Sequence, residues 1–243
     1  MAVPTPETTS PDATIVIPVY NEEGLLEAAI TDLVERLTRV DFSYEILIAE
    51  NGSSDDTKEI AFRLERKYPA VRAMIGDEPN YGKALRKGIL DARGTYVLCD
   101  EIDICDVDFQ RRAMDILRGD QADMVVGSKR HADARDRRPM FRRAGTWTIN
   151  FMLKVFLDFH GTDTHGLKAF NRERLLSVVN RCIVDKDLFA SEFVIRSERT
   201  GFRVLEVPVE IVEKRPPSIN LASRVPHVLK NLARLVIAIR IRG

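Results

Sequence analysis

The chain has 243 residues, 44% of them hydrophobic, and 37 Lys and Arg balance 37 Asp and Glu, so its formal charge is zero near neutral pH. That is ample for a packed core in one large α/β unit, and it argues against nucleic acid or another bulk polyanion as partner. Three cysteines, Cys99, Cys105 and Cys182, cannot build a disulfide framework and match no zinc spacing, which favours a reducing, cytoplasmic setting.

Residues 1–12 are rich in Pro, Thr and Ser, lack the basic start and apolar stretch of a signal peptide, and read as a disordered tail. ATIVIPVY, from Ala13, is a β-branched run that predicts a buried strand. NEEGLLEAAITDLVERL places Leu26, Ala29, Ile30, Leu33, Val34 and Leu37 at intervals of three and four, the stripe of an amphipathic helix. YEILIAE predicts a second strand, NGSSDD a turn, and Thr57 to Tyr68 a helix. VRAMIGD, TYVLC and ADMVVGS predict further strands, with NYGKALRKGILDAR and DFQRRAMDILRG as the helices between them. Strands alternating with helices imply a mostly parallel sheet flanked by helices, in which ligands gather at the carboxyl ends of the strands.

Beyond Gly127 the rhythm changes. Lys129 to Arg143 is strongly basic, and MFRRAGTWTINFMLKVFLDF predicts a helix with Phe141, Trp147, Phe151, Met152, Val155, Phe156 and Phe159 among its apolar positions. DTHGLKAFNRERL reads as a turn, a short strand and a helix start. FASEFVIRSERTG is a helix stopped by Gly201, FRVLEVPVEIVEK a strand, and RVPHVLKNLARLVIAIRIRG a basic helix. No run approaches the roughly 20 apolar residues that span a bilayer.

The strand ends carry PVYNEE, AENGSSDD, CDEIDICD and GSKRH. Each is weak alone. Pro18 and Tyr20 suit a base and Glu22 a ribose, but Asn21 also suits a helix cap. Gly82 and Lys83 suit phosphate, or a turn with a solvated lysine. Five acids, Asp100, Glu101, Asp103, Asp106 and Asp108, crowd one strand end. Such a cluster repels itself unless a cation or a polar network offsets it, so it is either a solvated loop or a divalent-metal site.

Taken in order, IVIPVYNEE, ENGSSDDT, NYGKALRKG, GTYVLCDEID, VVGSKR, DTHGLKAF and EVPVEIVEKR resemble family 2 glycosyltransferases of the GT-A (Rossmann-like) fold. The pattern is nearest to the polyprenyl-phosphate (dolichol-phosphate) mannosyltransferases and runs from about Ala13 to Ser218. The resemblance implies a GT-A domain over residues 13–220, with a nucleotide-sugar half at 13–128 and an acceptor half at 129–220, then a basic amphipathic helix at 221–243. The family's Asp-x-Asp falls on Glu101 and Asp103, which would hold Mg²⁺ or Mn²⁺ against the diphosphate. Glu50, Asn51 and Ser53 stand where the family has Asp-Asp-Gly-Ser, so they and Lys129 join the nucleotide-sugar residues. Arg142, Arg143 and Arg215 fall at phosphate-clamping positions, and Asp163, Gly166 and Lys168 at the acceptor loop.

An acceptor phosphate is already anionic and needs positioning more than a base. A hydroxyl acceptor would need Asp163 or Glu192 as base, with His165 either a base or a loop hydrogen-bonder. The resemblance therefore implies inverting transfer from GDP-mannose, or second from a uridine donor, to a polyprenyl phosphate. Transfer to a hydroxyl of a glycan or small molecule stays open, as does a non-catalytic nucleotide-sugar binding protein. A nucleotidyltransferase ranks below both. The helices around Trp147 to Phe159 and at the C-terminus either lie at a bilayer surface, making the enzyme peripheral on the cytoplasmic face, or pack one face while basic side chains snorkel.

Overall fold

The computed structural model describes residues 10–128, 151–164, 166–209 and 221–241, with side chains of the last helix from Lys230 onward. Chain order begins β1 (Ala13–Val19), α1 (Leu26–Leu37), β2 (Tyr44–Glu50), α2 (Thr57–Lys67), β3 (Val71–Ile75) and α3 (Tyr81–Asp91). It continues β4 (Tyr96–Cys99), α4 (Val107–Arg118), β5 (Met124–Ser128), α5 (residues 151–157) and β6 (Lys168–Asn171). It closes with α6 (Arg172–Arg181), a short 3₁₀ turn (Lys186–Leu188), α7 (Phe189–Arg199), β7 (Val204–Pro208) and α8 (Leu221–Arg240).

The seven strands form one sheet in the order β3-β2-β1-β4-β6-β5-β7. All seven residues of β1 are buried, as expected of a strand covered on both faces. Alternation then sorts its side chains. Ile15, Ile17 and Val19 join one apolar cluster with α1, α2 and α4, while Val16 joins the other with α3, α6 and α7.

The sheet is parallel except at β6, which runs antiparallel to both β4 and β5. The chain leaves β5, returns, and fills the gap beside β4. Register places Lys168 opposite both Cys99 and Val126, at the carboxyl end of β4 where the acids begin. The fold thus carries a residue from the second half into the first half's strand-end site.

Two expected helices differ in detail. The first starts at Leu26 because Asn21 takes a left-handed backbone (φ 52°) and Leu25 occupies the cap position, without a capping side chain. On α5 the buried residues are Leu153 and Leu157, while Phe151, Val155 and Phe156 are exposed, so the buried stripe is offset from the expected one. Among the described residues no helix is long and apolar enough to cross a membrane.

Candidate active site

The loops after β1 and β2 are stitched together. Asn21 N donates to Ser53 Oγ (3.0 Å), Asn21 Oδ1 accepts from Ser54 N (2.9 Å), and Glu22 N donates to Thr57 Oγ1 (2.8 Å). Asn21 is therefore a cross-brace rather than a helix cap. Glu50 is fully buried; one carboxylate oxygen accepts from Ser53 N, and the other has no hydrogen-bond partner among the described residues. The added methylene relative to Asp lets the carboxylate turn back onto its own loop. Gly52, at φ 72°, is the turn that permits this, and a Cβ there would lie 2.7 Å from the Glu78 carbonyl carbon. Pro18 is buried within β1, while the Tyr20 ring beyond it is 44% exposed.

Asn51 Oδ1 accepts from Asn80 N (2.7 Å), and Asn80 Oδ1 caps α3 by accepting from Lys83 N (3.0 Å). Gly82 makes its close approach to protein: a Cβ there would sit 2.4 Å from the Lys186 carbonyl oxygen. Lys83, expected at phosphate, pairs through Nζ with Glu78 (2.7 Å) and Asp77 (3.5 Å).

The five clustered acids divide by task. Asp100, 3% exposed, accepts from Glu101 N (2.7 Å), Asp106 N (3.2 Å) and Gln110 Nε2 (2.7 Å). Burial pushes its pKa up to about 6 against these bonds, and the Asp106 charge adds to the rise. Asp106 caps α4 by accepting from Phe109 N (2.9 Å). Asp108 sits in the first turn of that helix and pairs with Arg111 and Arg112. Three acids thus build the loop and the helix start; Glu101 and Asp103, two residues apart, are both half-buried at the strand end. Asp103 makes no hydrogen bond or ion pair among the described residues.

Tyr81 was not singled out by its sequence context. It is 37% exposed. Burial, then the charges of Glu101, Cys99, Asp100 and Asp103, hold its pKa above the usual phenol range. Among the described residues no three His, Cys, Asp or Glu side chains form a metal cluster. Two carboxylates fit a magnesium-type ion, which takes one or two protein carboxylates and completes its shell with phosphate oxygens and water.

Of the residues expected at the acceptor, Lys168 is 2% exposed and donates through Nζ to the Gly166 carbonyl (2.6 Å). Its ammonium offsets part of the burial that pushes the Cys99 thiol up to about 12. Gly166 packs so tightly on β5 that a Cβ would lie 2.0 Å from the Gly127 carbonyl oxygen. Asp163, 3% exposed, is held through its backbone N–H by Glu206 (3.2 Å), which also binds the N–H and hydroxyl of Thr162.

Glu192 is placed differently from a base. Its buried carboxylate accepts from Ile183 N (2.9 Å), Val184 N (2.8 Å) and Arg196 Nε (2.7 Å). Lys129, Arg142, Arg143, His165 and Arg215 lie outside the described residues.

Residues 14–179 match Glycosyl transferase family 2. The chain is 28% identical over 215 residues to glycosyltransferase AglD of Haloferax volcanii, covering 86% of this chain and 34% of that protein. It is 29% identical over 229 residues to dolichyl-phosphate beta-glucosyltransferase ALG5C of Trichomonas vaginalis, covering 86% and 67%. It thus spans about a third of AglD and two thirds of ALG5C. The structure of glucosyl-3-phosphoglycerate synthase from Mycobacterium tuberculosis with Mn²⁺, UDP and glucosyl-3-phosphoglycerate superposes with a TM-score of 0.65 at 18% identity, over 93% of this chain and 80% of that one. That likeness shows a shared GT-A fold.

Proposed function

The chain belongs to glycosyl transferase family 2, and from that premise we propose that it moves a glucosyl group from a nucleotide sugar to a polyprenyl phosphate. The observation that carries this reading is Asp103, half-buried after β4 with no hydrogen bond or ion pair among the described residues, two residues beyond Glu101. Asp100, Asp106 and Asp108 are held by the loop and by α4. A bound Mg²⁺ or Mn²⁺ would supply charge neutralisation for the departing diphosphate. Glucose takes precedence over the mannose expected from the motifs because ALG5C is named a dolichyl-phosphate beta-glucosyltransferase. GDP-mannose is the second donor.

The reaction needs little acid–base chemistry. An acceptor phosphate oxygen attacks the anomeric carbon opposite the diphosphate, the bond to the diphosphate breaks, and its electron pair leaves with the phosphate oxygen. The configuration inverts. This route needs no base, whereas a hydroxyl acceptor would depend on Asp163 or on Glu192, whose carboxylate accepts from Ile183 N, Val184 N and Arg196 Nε. A peripheral position on the cytoplasmic face of a bilayer belongs to the same reading. Phe151, Val155 and Phe156 expose apolar surface on α5, and Arg240 Nε of α8 donates to the Phe156 carbonyl (3.1 Å).

The test is product analysis. Purified protein with Mn²⁺ is offered UDP-glucose or GDP-mannose, and farnesyl phosphate or a hydroxyl acceptor such as octyl glucoside. The reading expects glucosyl phosphate lipid and UDP. Transfer to the hydroxyl alone, or donor binding with no turnover on any acceptor, would remove it.

A further inference from the structure

A cleft of about 700 Å³ lies between residues 183–188 and the second half of α8, with Asn80 of the loop after β3 in its lining. Among the described side chains three cations line it, Lys186, Lys230 and Arg234, with the carboxylate of Asp185. None of the three cations has an ion-pair partner among the described residues. Beside them run Ile183, Leu188 and Ile237, of which Ile183 and Ile237 are 47% and 42% exposed. Cations next to open apolar surface, in a cavity of ligand size, match an anion that carries a hydrocarbon chain.

The polar end of the cleft is rigidly built. Lys186 holds a left-handed backbone, φ 56°, which a non-glycine residue adopts at a cost. Its N–H donates to Asn80 Oδ1 (2.9 Å), and its carbonyl occupies the space that only a glycine at Gly82 leaves. Asn80 is 7% exposed and joins three things: this cleft, Asn51 at the end of β2, and the start of α3. Through Asn80, one wall of the cleft is therefore tied to the loop after β2, part of the candidate active site.

We propose that this cleft binds the acceptor as an isoprenoid phosphate, with its phosphate on Lys186, Lys230 and Arg234 and its first hydrocarbon units along Ile183, Leu188 and Ile237. The inference rests on the polyprenyl-phosphate reading above and adds where that acceptor is held. It involves none of the acceptor-loop residues Asp163, Gly166 and Lys168.

The test uses the Lys230→Glu/Arg234→Glu variant, altered only on an exposed helix face, and Ile237→Asp. Thermal unfolding checks that both remain folded, and UDP-glucose with Mn²⁺ should stabilise them as much as the wild type. Affinity for farnesyl phosphate should fall at least about tenfold in the charge-reversal variant, as loss of charge-assisted bonds implies, with a matching rise in acceptor KM. Ile237→Asp should weaken farnesyl phosphate and leave inorganic phosphate unchanged. Unaltered farnesyl phosphate affinity and KM in the charge-reversal variant would overturn the inference. So would inorganic phosphate binding the wild type as tightly as farnesyl phosphate, or phosphatidylglycerol vesicles binding while farnesyl phosphate does not. If the wild type glucosylates only a hydroxyl acceptor, the functional reading itself falls. If it glucosylates farnesyl phosphate and the variant does so equally well, only the cleft is wrong.

Discussion

Glu192→Ala separates an anchoring acid from a catalytic one. The Glu192 carboxylate is fully buried and satisfies Ile183 N, Val184 N and Arg196 Nε at 2.9, 2.8 and 2.7 Å. Arg196, itself 7% exposed, also donates to the Ala238 carbonyl of α8 (2.8 Å). Alanine strands a buried guanidinium and two backbone N–H groups together. Breaking a buried ion pair from one side costs about 3–5 kcal/mol. For a chain of this size each kcal/mol moves Tm by about 2–4 °C, so calorimetry should show a fall of about 6–20 °C. Glu192→Ala/Arg196→Leu removes both charges and should recover part of that loss. Glu192→Gln keeps an acceptor oxygen, and well below its Tm its kcat should stay within about threefold of wild type, far short of the 100-fold or greater loss expected of a missing general base. A Glu192→Ala protein with wild-type Tm and abolished turnover would refute this account and restore the residue as a base.

Gly166→Ala pushes a Cβ to 2.0 Å from the Gly127 carbonyl oxygen, so the Asp163–Lys168 loop must shift. Overpacking of this kind costs about 1–3 kcal/mol, and a Tm drop of a few degrees should accompany a raised acceptor KM; an unchanged Tm would contradict the packing. Asp123 offers a pH test: Arg203 above all, joined by Arg174, holds its pKa below the unfolded value of 3.8 despite burial. The stability this supplies is complete above that unfolded value and disappears as pH falls through the lower folded value. The Tm deficit of Asp123→Asn should therefore be constant from pH 7 to about pH 5 and close below about pH 4, and a deficit unchanged at pH 3 would contradict the assignment.

The strands and helices of the first half follow from local pattern because each is a single buried run or stripe, as β1 and α1 show. The position of β6 does not, because a four-residue strand carries no signal of which neighbours it will join. The acids after β4 were legible as a cluster but not as a division of labour. Whether Asp106 caps a helix or faces a ligand depends on where α4 begins and on the return of Gln110 to Asp100. Gly82 shows the same limit: its sequence context suits phosphate, whereas the glycine is required by Lys186, more than a hundred residues away in the chain. Glu192 looks like any helical acid until Ile183 and Val184 are seen to turn their N–H groups onto it.

The central claim is that Glu101 and Asp103 grip a divalent cation against the donor's diphosphate. Thermal unfolding of Asp103→Asn, which keeps the side chain's shape and removes its charge, tests it with UDP and Mn²⁺ added singly and together. In the wild type the pair should stabilise more than the sum of the two alone. In the variant that surplus should vanish, the unliganded Tm should hold, and turnover should drop by about 100-fold or more, as loss of one key electrostatic contact to a developing charge implies. A variant that keeps both the Mn²⁺-dependent surplus and its turnover would contradict the account.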